Sequence, residues 1–205
     1  MPQAVGNLSS LKKIRLLRCQ ELESLPDTIG NLRSLKTIYI RGGKMTALPE
    51  SIGNISFLRG ISLQYTNIIK LPVSIVNLDK LEYLGIYSYR NSMPWDYDFD
   101  NPPNYYEDET IEKRSPFNAL PDSLSKLVSL KCINLDFSEV TVLPDFLANL
   151  PELEEINING CNISSIPVSI QRLIDNEEIR LFKSDNEFIE REWGGFRERK
   201  RPRRK

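Results

Sequence analysis

No histidine occurs anywhere in the 205 residues. That removes Ser–His and Cys–His activation of a nucleophile, and with it the commonest metal ligand. Cysteine is nearly as scarce: Cys19, Cys132 and Cys161 are an odd number, widely spaced, with no CxxC pair. A disulfide framework or zinc site is not expected from such a set, and a reducing compartment fits best. Long apolar runs are missing too. No stretch approaches the roughly 18–20 residues needed to span a bilayer, so no membrane insertion is expected. The first residues, MPQAVGNLSSLKK, lack an apolar run after a basic start. They do not read as a signal peptide, and the expected location is the cytoplasm.

What is present is balanced. Hydrophobic residues make up 40% and charged residues 27%, which places the chain among soluble, folded proteins. The net charge of −1 hides an asymmetry: residues 197–205 (RERKRPRRK) carry seven Arg or Lys against Glu198, leaving −7 over the other 196 residues. An acidic body argues against nucleic-acid binding. The basic tail reads first as a solvated segment. Its second reading, through Lys200 to Lys205, is a nuclear-localisation or anionic-surface signal.

Prolines reveal the organisation. An LP pair or close variant recurs at Leu25-Pro26, Leu48-Pro49, Leu71-Pro72, Leu120-Pro121, Leu143-Pro144 and Ile166-Pro167, at spacings of 23, 23, 49, 23 and 23. A fixed period of this length means stacked supersecondary units. The aliphatics align with it: Leu11, Ile14, Leu16; then Leu35, Ile38, Ile40; then Leu58, Ile61, Leu63. After a disturbed fourth unit, Leu130, Ile133, Leu135 and Leu153, Ile156, Ile158 resume the series, and a degenerate seventh unit offers Ile179 and Leu181. An apolar pair at i and i+2 is a short strand with one face inward. The LP segment suits a tight coil entering a helical turn whose first residue is Pro. One unit cannot bury its own apolar edge, so stability requires neighbours.

The segments LPDTIGNLRSL, LPESIGNISFL and LPVSIVNLDKL resemble the 23-residue leucine-rich repeats of Ras-suppressor-type, plant intracellular and bacterial proteins. The resemblance spans roughly residues 1–184. It implies an α/β solenoid, a horseshoe segment with a concave parallel β-sheet and short helical turns on the convex side. It says almost nothing about function. Such repeats place Asn three residues after the second strand aliphatic; here the slot holds Cys19, Gly43, Thr66, Tyr89, Ser138 and Cys161. Thr, Ser and Cys make weaker versions of its bond and Gly43 none, so a looser turn column is expected.

Met1-Pro2, Val5 and Leu8 occupy the slots of a preceding unit, so the chain starts inside a repeat with no polar cap. This fits a parent chain that extends N-terminally, or an end-on contact. Phe188, Ile189 and Trp193, within a cap at residues 185–196, are the expected lid at the other end. The 49-residue gap marks an insertion near residues 90–116, with seven acids, three bases and the aromatics Trp95, Tyr97, Phe99, Tyr105 and Tyr106. It reads as a solvated loop or as a partner contact at the rim of the sheet. Asp96, Asp98, Asp100 and Glu107 match the spacing of a calcium loop. Asn101 stands where Gly belongs, and Pro102-Pro103 follow, so neither metal nor other cofactor is expected.

Strand alternation assigns the outward side chains. They run from basic Lys13, Arg15 and Arg18, through Thr37, Tyr39, Arg41, Gln64, Tyr65, Tyr83 and Tyr87, to Cys132, Asn134, Asp136, Phe137, Glu155, Asn157, Asn159, Glu178 and Arg180. Tyr and Arg are over-represented at binding hot spots. The candidate partner-binding set is therefore Arg15, Arg18, Tyr39, Arg41, Tyr65, Tyr83, Tyr87, Asp136, Phe137 and Glu155, with Trp95 and Tyr97 from the insertion. No catalytic residue is assigned: Cys132 has no base beside it in the sequence, and an open face gives carboxylates no closed pocket. The expected function is a non-catalytic protein–protein interaction module. The alternatives are the targeting domain of a larger enzyme or effector, and an anion or nucleic-acid binder using the basic residues and tail.

Overall fold

The computed structural model describes residues 1–88 and 114–183. Strands β1 (Lys13–Leu17), β2 (Thr37–Arg41), β3 (Gly60–Gln64), β4 (Tyr83–Tyr87), β5 (Cys132–Asn134), β6 (Glu155–Asn157) and β7 (Arg180–Phe182) form one parallel sheet in chain order. Short 3₁₀ turns join the strands, the last replaced by helix α1 (Val168–Asp175). The architecture is an α/β solenoid.

Register follows the aliphatic pattern. Ile14, Ile38, Ile61, Leu84, Ile133 and Ile156 lie opposite one another across successive strands. A second row, from Ile40 through Leu63, Ile86 and Leu135 to Ile158, is fully buried beside it. Each such side chain contributes about 1.5–3 kcal/mol when removed from water. The backbone ties the units together: Arg59 N–H donates to Lys36 O, Glu82 N–H to Arg59 O, and Lys131 N–H to Glu82 O, each at 2.8 Å.

The prolines act one residue earlier than expected. Pro26, Pro49 and Pro72 sit at the capping position in extended backbone (φ −71°, −68° and −66°), and the turn proper begins at the next residue. Their carbonyls accept Ile29, Ile52 and Ile75 N–H, closing each turn. Proline fits here because its fixed φ suits the cap and its missing N–H has no partner to lose.

The first four turns, from Gln3–Asn7 to Val73–Asn77, stack closely. Glycine makes this spacing feasible: a Cβ on Gly30 or Gly53 would lie 2.5 Å from the next turn's Ser51 O or Ser74 O. The fourth turn has Val76 at this slot and the fifth Ser125, and from there the turns draw apart. Glu50 strengthens the tight part, accepting Val73 N–H at 3.1 Å and Ser74 N–H at 2.9 Å from the following unit.

Three expectations change. The array resumes at Ser115, which bridges Ser138, so Arg114, Ser115 and Pro116 belong to the described solenoid rather than to the insertion. Ser115 also takes the turn slot read for Tyr89, which lies outside the described residues, as do residues 90–113 with Asp96, Asp98, Asp100 and Glu107, and the cap and tail from 184 onward. In the last unit the register sets Leu181, not Ile179, opposite Ile156. The two-turn helix α1 and a left-handed Glu177 (φ 56°) lengthen that unit by two residues relative to the period. Finally, Gln64 is buried although it lies in an outward slot; it accepts the Tyr39 hydroxyl at 2.7 Å. The turn column is mixed, as its sequence implied. Cys161 Sγ donates to Leu135 O at 3.0 Å and Ser138 Oγ accepts Val140 N–H at 3.4 Å. The buried hydroxyls of Thr66 and Ser115 have no hydrogen-bond partner among the described residues.

Two outcomes test this frame. Leu63→Ala should lower stability in urea by about 2–5 kcal/mol, and Gln64→Ala by about 1 kcal/mol through loss of a buried hydrogen bond; a neutral Gln64→Ala would mean that the outward face adds no order. The second concerns acid. Hydrogen bonds from Ser74, then from Val73, hold the Glu50 carboxyl below its usual range. A depressed carboxylate adds stability above its unfolded pKa of about 4.3, and that stability is lost as pH falls through the folded value. The melting-temperature gap between wild type and Glu50→Gln should therefore be constant near neutrality and close in acid. A gap unchanged through that range would refute the contact.

Candidate partner-binding face

Side chains opposite the aliphatic core form a polar face across all seven strands. Hydrogen bonds run across its middle rather than outward. Tyr39 Oη donates to Gln64 Oε1, and Ser62 Oγ lies 3.0 Å from Tyr87 Oη. Asp136 Oδ1 accepts both the backbone N–H (2.8 Å) and the side-chain amide (2.7 Å) of Asn159, and Asn134 Oδ1 accepts Asp136 N–H at 2.9 Å. Glu155 joins Asn157 Nδ2 at 2.7 Å and Arg180 at 3.1 Å. The face is a bonded network of neighbouring strands.

This network overturns the expected open tyrosine patch. Tyr39, Tyr83, Tyr87 and Asp136 do point away from the aliphatic core, yet all four are buried, Tyr87 and Asp136 fully. The cause lies partly in Gly85. A Cβ there would lie 2.6 Å from Tyr83 Oη and 2.8 Å from Tyr87 Cε1, so both rings lie down across the strand where a side chain is missing. Alternation fixes which face a residue joins; it does not fix whether a long ring stands up or lies flat. Burial pushes the Tyr83 hydroxyl well above its ordinary pKa, with Tyr87 adding to the effect. Arg15 and Arg18 are exposed, while Arg41, Tyr65, Phe137 and Glu155 are half-buried. Trp95 and Tyr97 lie outside the described residues.

Cys132 gains a neighbour that the sequence hid. Its Sγ is 3.7 Å from Glu155 Oε1, one strand away. The pair is no activated nucleophile, because burial and then the Glu155 charge push the thiol well above its ordinary pKa. Cys161, also pushed up by burial, serves the turn column. Among the described residues no cluster of three or more metal-ligating side chains occurs.

One feature of the rim went unread. Two residues past the second strand aliphatic, five of the units hold a left-handed residue, whereas Ser88 of the fourth unit is not left-handed. Gly42 (φ 83°) and Gly160 (φ 65°) supply it in two units; Arg18 (φ 56°), Tyr65 (φ 52°) and Phe137 (φ 56°) supply it in three. A non-glycine residue in this region costs roughly 1–2 kcal/mol. The pattern was present in the sequence, since Gly42 and Gly160 align with the three large residues. The Phe137 ring packs on Gly160 of the next unit, and Arg41 lies over the Tyr65 ring at 5.6 Å.

No family model matches the chain, and no curated protein matches its sequence. Solved structures do. An internalin (InlF) of Listeria monocytogenes superposes with a TM-score of 0.62 at 17% identity, covering 89% of this chain and 44% of its own. The leucine-rich repeat domain of the type III effector XopL gives 0.64 at 19%, covering 88% and 55%. The plant peptide hormone receptor RGFR1, solved in complex with RGF2, gives 0.63 at 22%, covering 89% and 26%. The chain thus spans about half or less of the internalin and the receptor. Repeat pattern, parallel register and these superpositions agree: the chain has the fold of the leucine-rich-repeat proteins.

Proposed function

We propose that the chain is a non-catalytic protein-binding module that engages its partner through the rim and exposed side chains of the polar face. The observation that carries this reading is the left-handed column. Arg18, Tyr65 and Phe137 occupy a backbone position that glycine fills without strain in the same chain. Large side chains held at an energetic cost point to a role other than folding. Arg and the aromatics are also the residue types that anchor interfaces. Arg15, Arg41 and Glu155 flank this column at the surface. Tyr39, Tyr83, Tyr87 and Asp136 act beneath it as the hydrogen-bonded platform that fixes their neighbours.

The fold neighbours support a binding role by analogy. The RGFR1 structure holds a peptide hormone, and a TLR13 structure of similar fold holds a single-stranded RNA. We place the partner in the protein class because the body is acidic once the tail is set aside. Trp95 and Tyr97 of the insertion extend the proposed contact. A location in the cytoplasm accords with the sparse, unpaired cysteines; no helix of the described residues is long and apolar enough to cross a membrane. An enzymatic role has its best candidate in Cys132, whose burial and raised pKa weigh against it.

Two measurements follow. In the folded protein, Ellman's reagent should titrate the half-exposed Cys19 and reach Cys132 only after denaturation; prompt native reaction at Cys132 would revive the thiol reading. Tyr65→Gly and Phe137→Gly should stay within about 1 kcal/mol of wild type, because relief of strain offsets lost contacts. Each should weaken partner binding tenfold or more. Unchanged binding in both variants would remove the column from the interface.

A further inference from the structure

The outward slots of β1–β3 hold no acid, and Lys13, Arg15 and Arg41 are among them. The outward slots of β4 to β6 hold no cation, and Glu155 of β6 faces outward and pairs with Arg180 of β7. Apart from Arg180, positive charge on this face is therefore gathered at the β1–β2 end. The basic end is also ordered. Arg15 lies over the Tyr39 ring at 5.9 Å and Arg41 over the Tyr65 ring at 5.6 Å, each reaching from its own strand to the next. Tyr39 is itself held by its hydrogen bond to Gln64.

We infer that this end of the face binds an extended acidic peptide segment through Arg15 and Arg41. The inference deepens the protein-binding reading above and rests on it. A guanidinium over a ring face is attracted to it and still has its planar fork of N–H donors to offer a carboxylate. That attraction biases each arginine toward one region of the face, which lessens the freedom binding has to remove. Arg41 sits one strand across and two residues along from Arg15, since Arg15 pairs with Tyr39 and Leu17 with Arg41. Strands about 4.8 Å apart with a rise of about 3.3 Å per residue put the two backbone positions roughly 8 Å apart. Carboxylates at i and i+2 of an extended chain are separated by roughly 6.6 Å, within reach of two flexible arginines.

The occupant should be short. A long polyanion such as single-stranded nucleic acid would continue over the outward slots of β4 to β6, which hold no cation. A peptide with two or three acids ends before them.

The probe is a fluorescein-labelled heptapeptide with Glu at positions 3 and 5 and uncharged residues elsewhere. Its Gln counterpart and labelled ten-residue oligo-dT serve as comparators, and anisotropy is read against the full chain. Arg15→Gln and Arg41→Gln should each weaken the Glu peptide about fivefold or more, and the double variant should bind it no better than the Gln peptide. Arg33→Gln, on the opposite side, should leave binding unchanged. The basic tail is common to all these proteins, so only differences between them count. Glu-peptide binding that is absent, or equal in wild type and double variant, overturns the inference. So does an oligo-dT affinity that exceeds the peptide's and falls with the same arginines. Loss of acidic-peptide binding alone leaves the wider reading standing, because that reading depends on Tyr65 and Phe137.

Discussion

Everything in this molecule depends on a unit that cannot bury its own apolar edge. A strand such as Gly60–Gln64 offers two inward aliphatics, Ile61 and Leu63, and becomes dry only between Ile38 and Ile40 on one side and Leu84 and Ile86 on the other. Burial therefore accrues between neighbours rather than within units. The parallel register, the carbonyl ladder from Lys36 to Lys131 and the proline-capped turns all serve that one requirement. Where a small residue gives way to a larger one, as at Val76, the helical side loosens, at the start of the 49-residue gap between LP pairs.

Function uses what stacking leaves over. The outward slots need only suit a strand, so their chemistry is unconstrained by the core. This chain uses them for a network of tyrosines, amides and a buried aspartate. Such a network orders the face, since each member fixes a side chain one strand away. It leaves the accessible chemistry at the left-handed rim and at Arg15 and Arg41, which lie over the Tyr39 and Tyr65 rings.

Most of the fold was legible in the sequence because period, proline and alternating aliphatics are one-dimensional signals. Strands β1 to β6 fall where Ile14, Ile38, Ile61, Leu84, Ile133 and Ile156 said they would. The last unit slipped because two aliphatics, Ile179 and Leu181, fit the same spacing and only helix α1 decides between them. The candidate face was read less well. Direction followed from alternation, but exposure depends on a second layer of packing that spacing cannot encode. Tyr87 lies flat because Gly85 leaves room and Ser62 offers a hydroxyl on the neighbouring strand. Glu155 beside Cys132 was invisible for the same reason. The left-handed column was legible, through Gly42 and Gly160, and was passed over because its other members are not glycine.

The central claim, that partners meet the rim of the polar face, is tested most directly by photo-crosslinking from single sites. A benzophenone amino acid replaces Tyr65, Phe137 or Phe57 in turn, the last being half exposed on the helical side beside Lys80. All three substitutions exchange one aromatic residue for another, so each protein should fold. The account predicts a partner adduct from positions 65 and 137 and none from 57. An adduct from position 57 alone would place the functional surface on the other side of the solenoid.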